Sequence, residues 1–292
     1  MRKVQVLLFA LLLPVATFAG EGSVTLPYLA QNLNPASAAM GSISLFDNAA
    51  SSVLSSGRGH VQAGYGLWNP SESKDIFLDA HCMLGSKAAL RLEAADRMET
   101  PYDMTDEFGE PAGQFTPSSM RALLGASFKL GGHFAVGADA VYARRTLYED
   151  ATYSTIAGNA ALMMRFGAFN AAVGGRNMGI AVSNAEGNGR FNTPGSAFAD
   201  LGLDILKGKH EIIFGGEFEY LFFNAIAYGT GASYTYNDII SVRGGYHSGG
   251  LFPTHFSAGI GLKFFGVTLN ATALLGNDLM NGTFLFGLGY SF

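Results

Sequence analysis

Six histidines, one cysteine and a scatter of carboxylates are the residues of this chain with the chemistry to hold a metal or move a proton. His60, His81, His133, His210, His247 and His255 form no H-E-x-x-H pattern, no pair at ligand spacing and no set with cysteine, so their spacing argues against a metal centre. Cys82 stands alone on the outward face of an expected strand, where it reads as a small apolar residue and not as a reactive thiol. The chain has neither a G-x-S-x-G nucleophile elbow nor a G-x-x-x-x-G-K-[ST] phosphate loop. Glycine strings such as Gly229-Thr230-Gly231 lack a following helix and read as close-packing sites or bulges. Carboxylates at alternate strand positions could form a hydrolase dyad with serine and histidine; a salt-bridged interior explains the same residues with fewer assumptions. The expectation is a non-enzymatic protein with no metal and no cofactor.

Those charges are positioned by strands. The closing segment FLFGLGYSF places Phe284, Phe286, Leu288, Tyr290 and Phe292 on one face and Leu285, Gly287, Gly289 and Ser291 on the other. The same alternation puts Ile76, Leu78, Ala80 and Cys82 opposite Asp75, Phe77, Asp79 and His81. It puts Leu90, Leu92 and Ala94 opposite Arg91, Glu93 and Ala95, and Ile212, Phe214, Phe218 and Tyr220 opposite Glu211, Glu217 and Glu219. Alternation and turn residues together predict about fourteen strands, at 58–67, 74–84, 87–97, 118–130, 133–145, 151–165, 169–177, 195–206, 210–221, 225–236, 239–247, 254–264, 266–275 and 283–292. Every second connection is short, as at Gly85-Ser86, Gly131-Gly132 and Asn237-Asp238. Most of the others are longer, notably Met98 to Pro117 and Met178 to Pro194; Phe222-Phe223-Asn224 is the exception. Short turns at one end and long loops at the other, with an even strand number, is the pattern of an outer-membrane barrel.

Burial demands closure. In lipid every backbone donor and acceptor needs a partner within the protein, so a spanning sheet has to close on itself. The inward faces then carry charges of both signs, among them Asp79, Arg91, Glu93, Arg121, Asp139, Arg176, Asp200 and Glu217, while Tyr65, Tyr142, Tyr228, Tyr234 and Tyr236 sit where interfacial girdles are expected. Composition agrees: 48% of residues are hydrophobic and only 14% charged, against about 25% charged in an ordinary soluble domain. The net charge of −5 and the lack of a basic stripe argue against a nucleic-acid partner. Arg2 and Lys3, the apolar run Val4 to Leu13 and the small-x-small site at Ala19 read as a secretory signal over 1–19. Residues 20–57, rich in Ala, Ser and Asn, lack strand periodicity and read as a plug or hatch-like segment against or inside a barrel formed by 58–292.

Two regions are candidates for binding. The long outer loop is acidic and holds Tyr102, Asp106, Glu107, Phe108 and Phe115, a set suited to a protein partner. The N-terminal segment, with Leu33, Pro35, Met40 and Asp47, is suited to a plug, a gate or a tether.

Some longer stretches carry a family likeness. ASAAMGSISLFDNAASSVL near the N-terminus, FNAAVGGRNMG in the middle, and ASYTYNDIISVRGGYHSG, HFSAGIGLKFFGVTLNATALL and FLFGLGYSF toward the end resemble the PorV/PorQ group of outer-membrane proteins, the last three its PorV branch. The pattern departs at Ser42, where the group has a second glycine, and at Ser51-Ser52-Val53-Leu54, where it has W-N-P-A. The resemblance implies an all-β, fourteen-strand transmembrane antiparallel barrel similar to the FadL fold, in the bacterial outer membrane. It also implies a non-enzymatic role in the type IX protein secretion of Bacteroidetes, with a translocon barrel and secreted cargo proteins as partners besides the outer-membrane lipid. The alternative expectation is a FadL-like channel for hydrophobic small molecules, and the mostly small or charged inward faces weigh against it.

Overall fold

The computed structural model describes residues 25–45, 47–55, 57–69, 71–148, 151–183, 189–206, 208–276 and 280–292. The expected signal segment lies outside them. The described strands are β1 (Gly59–Trp68), β2 (Ser73–Leu84), β3 (Ala88–Met98), β4 (Tyr102–Thr105), β5 (Pro111–Phe115), β6 (Ser118–Leu130), β7 (Phe134–Tyr148), β8 (Ala151–Phe166) and β9 (Phe169–Ser183). They continue with β10 (Arg190–Asn192), β11 (Ser196–Leu206), β12 (His210–Leu221), β13 (Ala225–Tyr236), β14 (Ile240–Gly249), β15 (His255–Phe264), β16 (Val267–Gly276) and β17 (Thr283–Ser291).

β4 and β5 form a separate hairpin, and β10 is a short strand on the edge of β9. The remaining fourteen strands form one antiparallel sheet in sequence order, closed by β1 pairing with β17. Closure leaves no open sheet edge along those staves, which is what a sheet in hydrocarbon requires. The outer surface follows the expected alternation. Phe284, Phe286 and Leu288 are exposed, while Leu285 between them is fully buried. Ile76, Leu78, Leu90, Leu92, Phe214 and Phe218 likewise point out. Among the described residues no helix is long and apolar enough to cross a membrane; the strands do so. Turn chemistry fixes the register: Asn237 and Asp238 both take positive φ, of 53° and 57°, the two-residue geometry that matches strand twist.

The interior is not empty. The described residues from Thr25 to Ser55 run inside the barrel and form short helical turns, among them Pro27–Ala30, α1 (Pro35–Ala38) and Ser52–Leu54. Asn34 caps α1 by accepting a hydrogen bond from the Ala36 backbone, and Pro35 opens its first turn. Each buried apolar cluster joins this hatch to the wall. Met40, Ile43, Leu45 and Val53 pack on Ala135, Met163 and Phe198. Tyr28 and Leu33 pack on Trp68, Phe77 and Leu285, and Leu26 and Leu29 on Leu123, Val141 and Ala181. The inward faces are small because the hatch supplies the bulk that fills them.

Two loop expectations need correction. The loop Met98 to Pro117 contains the hairpin β4–β5. The stretch Met178 to Pro194 is largely strand: β9 continues to Ser183 and pairs with β10. The alternation stops being readable at Asn177 for a structural reason. A β-bulge lies there, with the register against β8 shifting between Gly158↔Met178 and Ala160↔Gly175. Arg176 and Asn177 therefore both face inward, and every later residue of β9 changes phase.

Candidate functional site

The hatch is held from several sides. Arg91, on β3, donates to Asp47 of the hatch at 2.6 Å and to Asp79 and Glu93 of the wall at 3.2 Å each. Arg121, on β6, binds Glu93 at 2.6 Å and donates to the Gln31 carbonyl at 2.8 Å. Tyr28 lies between two guanidinium groups, with Arg97 5.0 Å and Arg121 5.5 Å from its ring centre. Burial pushes its hydroxyl above the ordinary range, against the pull of Arg121, so it stays neutral. On the far wall Glu217 accepts from the Ser44 backbone at 2.7 Å and Asp200 from the Ser44 hydroxyl at 3.0 Å. Arg176 binds Glu217 and lies 4.4 Å over the Phe198 ring. Pairing of this kind lets a charge persist out of bulk water.

A second kind of contact uses glycine. A side chain on Gly231 or Gly245 would strike the hatch backbone at Met40 and Gly41, and one on Gly41 would meet the Tyr246 carbonyl at 2.5 Å. Here β13 and β14 receive the hatch backbone directly, with Ser257 of β15 donating to the Ala39 carbonyl at 2.9 Å and accepting from Gly41 N–H at 3.1 Å. Close backbone approach is what glycine in a strand permits.

A neighbouring part of the wall, across β12 from this inlay, is different. The β9–β11 ladder ends at Arg176↔Ser196, and β9 next pairs at Ile180↔Asn192. Between them, residues 177–179 face residues 193–195 without ladder bonds. Pro194 has no N–H to give. The Thr193 hydroxyl spans the break, 2.6 Å from the Asn177 carbonyl and 2.8 Å from that of Gly179. The hatch reaches the break from inside: Asn177 donates its side-chain N–H to the Leu29 carbonyl at 3.2 Å, and Thr25 N–H bonds the Asn192 carbonyl at 3.0 Å. Outside it lies a cavity of about 810 Å³, lined by Ile156, Met178, Ile180, Val182, Phe222 and Phe223 among others. Ile156 is 76% exposed. Inside lies a polar cavity of about 110 Å³ that touches Gly175, Arg176 and Asn177.

The residues expected from sequence to contact a partner are brought together, but elsewhere. Tyr102 and Phe115 pair across the β4–β5 hairpin with ring centres 5.9 Å apart, and the Tyr102 hydroxyl donates to the Leu147 carbonyl at 2.7 Å. Asp106 accepts from Phe108 N–H and Glu110 N–H, both at 2.9 Å, and so shapes the tip. Phe108 is 81% exposed there, and Glu107 beside it is exposed too. None of the five lines the wall cavity. In the N-terminal set, Leu33, Pro35 and Met40 are buried and Asp47 holds the Arg91 pair. Met178 and Thr193 lay in a stretch expected to be an outer loop, Asn177 at the expected end of a strand and Phe222 in the exceptional tight turn, and nothing in the sequence joined them into one site. Their signal was the loss of alternation at Asn177 followed by Asn192-Thr193-Pro194-Gly195.

The serine–histidine chemistry weighed from sequence has two local counterparts among the described residues, of which one is His60 Nδ1 with Ser291 Oγ at 3.0 Å. In the other, Ser55 Oγ lies 2.8 Å from His81 Nε2, but the hydroxyl proton goes to the Ser52 carbonyl at 2.7 Å. His81 is therefore the donor to Ser55, the reverse of what an activated nucleophile needs. Among the described residues no three His, Cys, Asp or Glu side chains converge to hold a metal.

No protein-family model matches the chain, and no curated protein matches it. Solved structures do. The chain is similar to the CymD monoaromatic hydrocarbon channel, with 14% identity and a TM-score of 0.59 over 92% of this chain and 99% of that one. It is similar to the Pseudomonas putida toluene transporter TodX, with 11% identity and a TM-score of 0.58 over 88% and 97%. A Pseudomonas aeruginosa FadL homologue gives 10% identity and a TM-score of 0.54 over 94% and 98%. The closed fourteen-strand sheet, its apolar exterior and its internal hatch define an outer-membrane β-barrel with the FadL-like fold.

Proposed function

We propose that this barrel is a gated outer-membrane passage for apolar small molecules, and that they cross its wall at the break between β9 and β11. One observation supports this above the others. On a single side of the barrel, an interrupted ladder lies between an apolar cavity of about 810 Å³ and the lumen. The barrel axis is a poor route, because the hatch is inlaid on glycines and tied by ion pairs. The names of CymD and TodX, which describe a hydrocarbon channel and a toluene transporter, fit the same reading. The division into a signal at 1–19, a hatch at 20–57 and a barrel at 58–292 belongs to this proposal. Intact cells producing the barrel, whose lipopolysaccharide layer resists apolar solutes, should take up a radiolabelled uncharged aromatic faster than cells without it. Equal rates would overturn the proposal.

A second reading follows the PorV resemblance: a docking barrel for type IX secretion that binds a translocon and cargo. The stiff β4–β5 hairpin, which presents Phe108 at an acidic tip, favours it. Pull-down from outer membranes should then recover a larger barrel and exported proteins, and Phe108→Ala should lose them. Recovery of this barrel alone would exclude that role.

A further inference from the structure

The break in the wall is covered on its lipid side by two side chains, and each lies on a glycine. A side-chain carbon on Gly175 would be 2.9 Å from the sulfur of Met178, and one on Gly195 would be 3.0 Å from Cδ2 of Phe222. Those distances are too short for carbon packing, so the two glycines are the seats on which the thioether and the ring rest. Gly195 also accepts, through its carbonyl, the Phe222 N–H at 2.9 Å. That bond holds the backbone of the Phe222 turn in place and leaves the ring itself free to turn. Methionine is unbranched and adapts its shape readily. The cover is thus made of movable side chains where the rest of the wall is made of backbone hydrogen bonds.

The cavity in front of this cover is apolar, with Tyr142, Ser154, Thr155, Asn192 and Thr193 as its polar lining and no charged side chain. A carboxylate entering it would lose water and meet no cation, whereas a hydroxyl would find partners of its own kind.

We propose that Met178 and Phe222 form a shutter over the wall break that admits uncharged apolar molecules, tolerates a single hydroxyl, sorts them by cross-section and rejects their carboxylates. This rests on the reading of the barrel as a lateral passage for apolar molecules. The test is uptake by intact cells of three probes: a single-ring uncharged aromatic, a two-ring uncharged aromatic, and the carboxylate of the single-ring compound. Surface amount and heat-modifiable mobility on gels confirm that each variant is folded. In the unaltered protein the single-ring probe enters faster than the carboxylate by about tenfold or more, the scale on which an unpaired polar group is discriminated. Met178→Ala combined with Phe222→Ala raises the ratio of two-ring to single-ring uptake by about tenfold. Ser154→Lys, which adds a cation to the cavity, raises uptake of the carboxylate. If the unaltered barrel carries none of the probes, the passage itself is refuted and the shutter with it. If it carries the single-ring probe but the double alanine variant keeps the same size limit, the shutter alone is refuted. Equal uptake of carboxylate and uncharged probe by the unaltered barrel refutes the charge selection.

Discussion

The two sides of the lumen are built on opposite principles. On the β13–β15 side, the hatch backbone lies directly on strand backbone, with Gly41, Gly231 and Gly245 leaving no room for side chains between them. On the β8–β11 side, the wall gives up its own ladder, and Thr193, Asn177, Met178 and Phe222 fill the break with side chains. Backbone packed on backbone has few alternative arrangements. Side chains resting on glycine seats have many rotamers. The difference teaches where this barrel is rigid and where it is able to open, and it separates the fixing of the plug from the gating of the wall.

That contrast yields tests of decreasing effect. Disulfides placed in a Cys82→Ser background should have opposite outcomes. One between Asn177→Cys and Thr193→Cys, across the break, should stop uptake of the single-ring probe. One between Ala39→Cys and Ser257→Cys, in the inlay, should leave uptake unchanged. Loss of uptake in both would mean that the whole hatch must move.

Arg176→Met should be the most destabilising substitution, because Asp200, Glu217 and Glu219 would then face one another with their cation gone. A loss of about 3–5 kcal/mol is expected, seen as a lower urea midpoint for the folded band on gels. An unchanged midpoint would show that this cluster does not brace the wall.

Two glycine substitutions compare the sides directly. Gly231→Val, which drives a side chain into hatch backbone, should cost about 1–3 kcal/mol and expose the hatch to protease. Gly195→Val meets the edge of the Phe222 ring at 3.0 Å and the Asn177 carbonyl only at 3.3 Å, and should cost less. The reverse order would contradict the assignment of rigid and movable sides.

Asn177→Ala removes its side-chain bond to the Leu29 carbonyl and should cost about 1 kcal/mol, with faster hydrogen exchange confined to residues near Leu29. Asp106→Ala should have the smallest effect. It loosens the β4–β5 tip, lowers stability by well under about 1 kcal/mol and leaves uptake untouched.

How much of this was legible in the sequence varies by element. The strands β6, β12 and β13 were readable to the residue, because an apolar outer face and a small or charged inner face impose a period of two that turn residues end sharply. The hairpin β4–β5 was not, since its residues are exposed on both faces and carry no such period. β9 was readable only to Asn177, where the bulge reverses the phase. Arg91 was recognisable as an interior charge and Asp47 as part of the N-terminal segment, but not as partners, because 44 residues separate them in the chain.

The sequence alone thus determined the barrel, since hydrocarbon outside and a crowded interior write themselves into alternating residues along most of its membrane-spanning strands. Only the tertiary structure decided where that barrel is sealed and where it is broken. Glycine leaves no mark of what it touches, and a missing ladder bond is a relation between two strands that neither one records.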